Sequence, residues 1–211
     1  HIQKAITNII DEGVTDNLLA GMLTSGDIAG YHRLTELADP KMDHSWLWML
    51  NKNKGPTMAA ADYVEAVRLR IGVAGPTLST SCKICGQASD LTGVAHALCC
   101  AQAESTRGHT SVTHTLADEI CAIDNTMEVE PMGLIPKTSY RPADVLTGIL
   151  AGNMTALDIC IASPDAQGAT EDYLGQAVSR KRRKYGEHLQ RLEEQNVTYR
   201  PIPISCYGLL H

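Results

Sequence analysis

The chain contains no phenylalanine, and aromatic residues make up only 4% of its 211 positions. Leu, Ile, Val, Met and Ala must therefore fill its core. No apolar run approaches the ~20 residues a bilayer-spanning helix needs, and no signal peptide is visible, so no membrane partner is expected. A basic excess, usual in dedicated nucleic-acid binders, is also missing: 18 Lys and Arg stand against 24 Asp and Glu, a formal net charge of −6. Nor is there a disulfide framework. Of seven cysteines, Cys99 and Cys100 are adjacent, while Cys121, Cys160 and Cys206 stand singly among apolar residues. An intracellular, reducing setting with some cysteines on metal fits that pattern better. The first residue is His rather than Met, and the chain reads as a fragment or processed product whose targeting signal would lie outside it.

What is present suffices for one globular domain with a sizeable core and a helical extension, at 44% hydrophobic and 20% charged residues. Residues 1–54 read as helical pieces broken by Gly13, Gly21, Gly26 and Gly30, with both tryptophans, Trp46 and Trp48, in a packing role. Gly55-Pro56 makes a break. From Thr57 to Ile71 the spacing of Ala60, Val64, Val67 and Ile71 predicts a helix, capped by Thr57 and ended by Gly72.

The elements that follow come in an informative order. A helix is expected from about Thr110 to Ile123, with Val112, Leu116, Ile120 and Ile123 on one face. Strands follow at Met127 to Glu130, Ala143 to Leu150 and Met154 to Ile161, the last two joined as a hairpin by Ala151-Gly152-Asn153. A long helix starts near Thr170. Its stripe of Leu174, Val178, Tyr185, Leu189 and Leu192 includes Lys181, while Arg183 points away and Lys184 sits on the edge. Val197 to Ser205 is extended and holds two prolines, which suits a sheet edge. The order helix, three strands, helix, strand describes an α/β fold: a mixed sheet with helices packed on it.

Two constellations carry chemistry. Cys82-Lys83-Ile84-Cys85 is followed by His96 and Cys100, a Cys₃His set suited to structural zinc, with Gly86 supplying backbone freedom. Cys99 is the alternative fourth ligand, and four unrelated residues is the bland one. The second is acidic: Glu130 ends the first strand, Asp144 opens the hairpin in Arg141-Pro142-Ala143-Asp144, and Asp158 lies inside an apolar strand. A carboxylate buried there needs a cation or hydrogen-bond donors. Two acids on paired strands can converge on one Mg²⁺, which polarises a phosphate and activates water; an Asp158–Arg ion pair is the plainer reading. A lysine on a buried stripe either pairs with those acids or snorkels. The run Arg180-Lys181-Arg182-Arg183-Lys184 is a local anion-facing patch or a solvated helix face.

In ordered combination these residues resemble the restriction-like endonuclease domain of site-specific non-LTR retrotransposons and related reverse-transcriptase-type proteins. The resemblance runs through Cys82, Cys85, His96-Ala97-Leu98, Cys100, Arg107 and His109, Glu130, Arg141-Pro142-Ala143-Asp144, Asp158 and Lys181 to Tyr185, and covers about residues 56–208. It implies a PD-(D/E)XK core with a zinc knuckle beside it, and a divalent-metal-dependent DNA endonuclease of a mobile-element protein, acting in the nucleus. The implied organisation is a helical extension over 1–80, the knuckle over 81–106 and the nuclease-like core over 107–211. The implied roles are Mg²⁺ or Mn²⁺ on Asp144 and Asp158, catalysis by Glu130, Asp144, Asp158 and Lys181, and nucleic-acid contact by Arg107, His109, Arg180, Arg182, Arg183 and Lys184. DNA is the implied partner, with RNA possible inside a larger element protein. The chain departs from the family pattern in three places. Ala143 separates Pro142 from Asp144, Cys160 stands where a lysine would follow Asp158, and Gly108 splits Arg107 from His109. Because non-cutting relatives exist, the alternative function is a degenerate domain that binds nucleic acid or protein as a scaffold.

Overall fold

The computed structural model describes residues 2–42, 44, 58–73, 81, 85–86, 104–150, 152–166 and 168–211. Among these are five helices: α1 (Ile2–Ser25), α2 (Ile28–Ala38), α3 (Ala60–Ile71), α4 (Glu104–Cys121) and α5 (Tyr173–Glu194). The four strands are β1 (Glu128–Val129), β2 (Val145–Thr147), β3 (Met154–Ala162) and β4 (Val197–Ser205). The chain divides into two compact units.

One unit comprises His1–His96, Pro164–Gln167 and Tyr207–Leu209. It holds α1 to α3. Helix α1 runs straight through Gly13 and Gly21, which were expected to break it, and stops only where Gly26 turns left-handed at φ 76°. A mid-helix glycine costs about 1 kcal/mol, too little to interrupt a 24-residue helix. Gly30 lies within α2, whose start is capped by Asp27, the carboxylate accepting from Gly30 N at 2.9 Å. Helix α3 is found, with Ala59 at its N-cap and no side-chain cap bond; Thr57, the expected cap, lies outside the described residues. Gly72 closes it in the left-handed conformation, as its lack of Cβ permits. The expected apolar stripe of α3 is not buried: Val64 and Ile71 are exposed. Trp46 and Trp48 lie outside the described residues.

The other unit comprises Ala97–Ser163, Gly168–Cys206 and Leu210–His211. Its strands form one mixed sheet in the order β1-β2-β3-β4. The first two pairings are antiparallel and the third, β3 with β4, is parallel from Met154↔Val197 to Ala162↔Ser205. A parallel pair requires a long crossover, and α5 supplies it. Pro201 and Pro203, which have no N–H to donate, sit on the edge strand, where that loss is tolerated.

Period-two alternation divides the apolar residues between the two faces of the sheet. On one face Leu146, Ala156 and Val197 pack with Tyr185 and Leu192 of α5. On the other, Val145 and Leu157 pack with Ala117 and Ile120 of α4. The result is three layers, helix on sheet on helix. Ile123, expected on the buried face of α4, lies past the helix end and is 75% exposed. Asp172 rather than Thr170 caps α5, accepting from Gly175 N at 3.0 Å. A carboxylate there satisfies an orphan N–H and meets the positive end of the helix dipole.

Candidate active site

The strand pairings bring three acids to one end of the sheet. Glu128↔Leu146 and Val129↔Val145 continue to Glu130 and Asp144, joined by a 2.8 Å bond from Glu130 N to Asp144 O. Between β2 and β3 the register ends at Val145↔Leu157, and Asp144 N also donates to Leu157 O at 2.8 Å, so Asp144 and Val145 both face Leu157 as in a β-bulge, next to Asp158 but not directly opposite it.

Glu130 leaves this group at its side chain. Its backbone turns left-handed, φ 46°, which ends β1. Its exposed carboxylate meets exposed Arg141 at 3.0 Å. The carboxylate therefore does not join the other two acids.

Asp158 is 97% shielded from solvent, with a relative exposure of 3%. It faces the α5 layer, and two donors hold it. Lys181 Nζ donates to Oδ1 at 2.6 Å and to Ile159 O at 3.2 Å. The Tyr199 hydroxyl donates to Oδ2. Lys181 belongs to the buried side of α5, between Ala177 and Tyr185, where 3.6-residue spacing predicts it. Burial by itself disfavours the ammonium, but the adjacent Asp158 carboxylate outweighs this and raises the Lys181 pKa above the ordinary lysine value. Tyr199 is pushed up from the ordinary phenol value, by burial first and then by its bond to Asp158. It stays neutral and donating.

Asp144 is reached from the opposite layer. Its Oδ2 accepts from Ile159 N at 2.6 Å and lies 3.2 Å from His109 Nε2, which is also 3.1 Å from Ile159 O. The hydrogen bond to Asp144 is the main reason the His109 pKa is raised above 6.5, against the effect of burial. Basic side chains from both helical layers thus meet the two carboxylates at one end of the sheet.

The remaining expected residues divide by location. Arg180, Arg182, Arg183 and Lys184 are all exposed, and the Lys184 ammonium sits 4.8 Å from the Tyr185 ring centroid. Arg107 lies in the first turn of α4, its side chain outside the described residues. Of the expected zinc ligands, Cys82, His96 and Cys100 lie outside them, as does Cys99; Cys85 is half-buried. Among the described residues, no group of three or more His, Cys, Asp or Glu is arranged to hold a metal ion, and no helix is long and apolar enough to cross a membrane.

Sequence reading missed two contributors. Tyr199 is brought to Asp158 by the parallel pairing Ala156↔Tyr199, two residues before the Asp158↔Pro201 pair. The only prior signal was an aromatic residue in a proline-bearing strand. Tyr185 donates its hydroxyl to Arg141 O at 2.9 Å and so ties the segment that carries Asp144 to α5. On the α4 face, the sheet bears an apolar cleft of about 600 Å³ lined chiefly by Val112, Leu116, Ile120, Ile202 and Ile204. It holds no cluster of ionisable groups comparable to the Asp144–Asp158 site.

Comparison with protein-family models, with curated proteins and with solved structures finds no match for this chain.

Proposed function

We propose that the sheet-bearing unit is a divalent-metal-dependent DNA endonuclease module of a mobile-element protein, with Asp144 and Asp158 as metal ligands and Lys181 as the cation beside the scissile phosphate. One observation carries the reading: the carboxylate of Asp158, in β3, and that of Asp144, just before β2, share one end of the sheet with a half-buried lysine at 2.6 Å from Asp158. Charged groups shielded in this way add little to stability compared with apolar residues, whereas strongly perturbed ionisable clusters concentrate at functional sites.

The donor set suits Mg²⁺ or Mn²⁺. Such ions take hard oxygen ligands, often only one or two carboxylates, with water and substrate phosphate completing the shell. When bound, the ion would supply charge neutralisation and an activated water. Asp144 and Asp158 would hold it. Lys181, kept protonated by its carboxylate neighbour, would stabilise negative charge gathering on the phosphate as the bond to the leaving oxygen breaks. His109 would brace Asp144 through its Oδ2. The exposed Arg180, Arg182, Arg183 and Lys184 would meet backbone phosphates, which gives affinity without sequence preference. The zinc knuckle of Cys82, Cys85, His96 and Cys100 belongs to the same reading as a folding element; purified protein should carry one zinc, lost in Cys82→Ser.

Supercoiled plasmid incubated with the protein and Mg²⁺ should be nicked, and Asp144→Ala and Asp158→Ala should abolish nicking. Equal nicking by those variants sinks the assignment. A second reading has its own support. Lys181 and Tyr199 already engage both oxygens of Asp158, an arrangement that also suits a non-cutting scaffold; DNA retention without Mg²⁺-dependent nicking would select it.

A further inference from the structure

We infer that Tyr199 is a positioning residue, which holds one oxygen of Asp158 so that the other stays fixed beside Lys181. The inference rests on the metal-site reading above. It starts from the division of labour on the Asp158 carboxylate, where Lys181 takes Oδ1 and the Tyr199 hydroxyl takes Oδ2.

Each oxygen thus has its own donor, Lys181 from α5 and Tyr199 from β4. Left alone, a carboxylate can rotate about its last torsion, because sp³–sp² torsions are broad. A phenol on one oxygen removes that freedom without neutralising the charge.

The phenol is itself held. Its ring meets the Tyr185 ring edge-on, centroids 5.5 Å apart at 70°, and Tyr185 is buried among the residues packed between α5 and the sheet. The parallel register fixes Tyr199 opposite Ala156, a residue with no bulk to displace it. Tyr185 reaches in addition to Arg141 O, so adjacent tyrosines steady the carriers of both acids: one grips the Asp158 side chain, the other the backbone leading to Asp144. Hydrogen bonds to metal-bound carboxylates typically change metal affinity or activity by about 10–100-fold.

The test is Tyr199→Phe in the full chain, which keeps the ring and removes one hydroxyl. Mn²⁺ affinity is read by calorimetry without DNA, and plasmid nicking with Mg²⁺ is read separately. The variant should bind Mn²⁺ about 10-fold more weakly and nick more slowly with an unchanged KM for DNA, while keeping the wild-type circular dichroism spectrum. Tyr199→Leu, which removes ring and hydroxyl together, should bind Mn²⁺ no more tightly than Tyr199→Phe. Unchanged Mn²⁺ affinity in Tyr199→Phe, with wild type binding and nicking, overturns the role of Tyr199 alone. Wild type that neither binds Mn²⁺ nor nicks overturns the metal-site reading and this inference with it.

Discussion

The two ends of strand β2 each meet an aspartate gripped by several donors, and the donors differ in kind. At one end Asp124 accepts from Thr126 N at 3.0 Å, Thr126 Oγ1 at 2.6 Å, Thr147 Oγ1 at 2.5 Å and Gly148 N at 2.9 Å. All four are neutral, and together they stop β2 at Thr147. At the other end Asp144 and Asp158 meet His109 and Lys181. An acid with neutral donors is a staple, since its partners have no charge to lend to anything else. An acid paired with ionisable groups forms a site whose charges can be redistributed when a phosphate or a metal ion arrives.

The largest expected difference lies in what is stranded on removal. Asp158→Ala leaves a half-buried ammonium without its partner and should cost roughly 3 kcal/mol of unfolding free energy in urea titrations. Asp124→Ala frees neutral groups that water can satisfy and should shift the urea midpoint less. A larger shift for Asp124→Ala breaks the comparison. In function the separation should be complete. Lys181→Met should slow Mg²⁺-dependent nicking by about 100-fold, whereas Asp124→Asn should leave nicking per folded molecule unaltered.

The pH response should sharpen it next. Asp124 is held well below the usual carboxylate range, chiefly by its bond to the Thr126 hydroxyl and then by that to Thr147. Its folded pKa is depressed, so its stabilising contribution is present above the unfolded value of about 3.9 and is lost as pH falls below it. His109 runs the opposite way. Its folded pKa is raised by Asp144, so its contribution is full below about 6.5 and fades as pH rises through the folded value. Thermal melts in chelator should therefore show wild type and Asp124→Asn converging in acid, and wild type and His109→Gln converging in alkali. Parallel curves in either comparison contradict the assigned partners.

The smallest effect concerns Glu130. Its ion pair with Arg141 is exposed on both sides, and such pairs contribute about 0–1 kcal/mol. Glu130→Ala should change stability by no more than that and leave nicking within a factor of two or so of wild type. Loss of nicking would bring this carboxylate back into the site.

Much of this geometry was legible in the chain because it is periodic. An acid inside Ala156-Leu157-Asp158-Ile159 must lie in an apolar strand, and 3.6-residue spacing turns Lys181 toward the sheet. The order of helices and strands around them follows from the same two periods. Contacts made by distant register were not legible. Nothing local to Tyr199 announces Asp158, because the pairing of β3 with β4 crosses a whole helix. Glu130 was misleading for the converse reason: it sits opposite Asp144, but its left-handed backbone conformation, rare for a residue with a side chain, turns its carboxylate outward to Arg141. Asp124 passed unnoticed because its partners Thr147 and Gly148 lie more than twenty residues away.

The most direct test of the central claim locates the metal. Fe²⁺ substituted for Mg²⁺, with ascorbate and peroxide, should cleave the backbone next to its ligands. The account predicts fragments ending near Asp144 and Asp158, suppressed by excess Mg²⁺ and absent from Asp144→Ala. Cleavage confined to other positions, or unaffected by Mg²⁺, would contradict it.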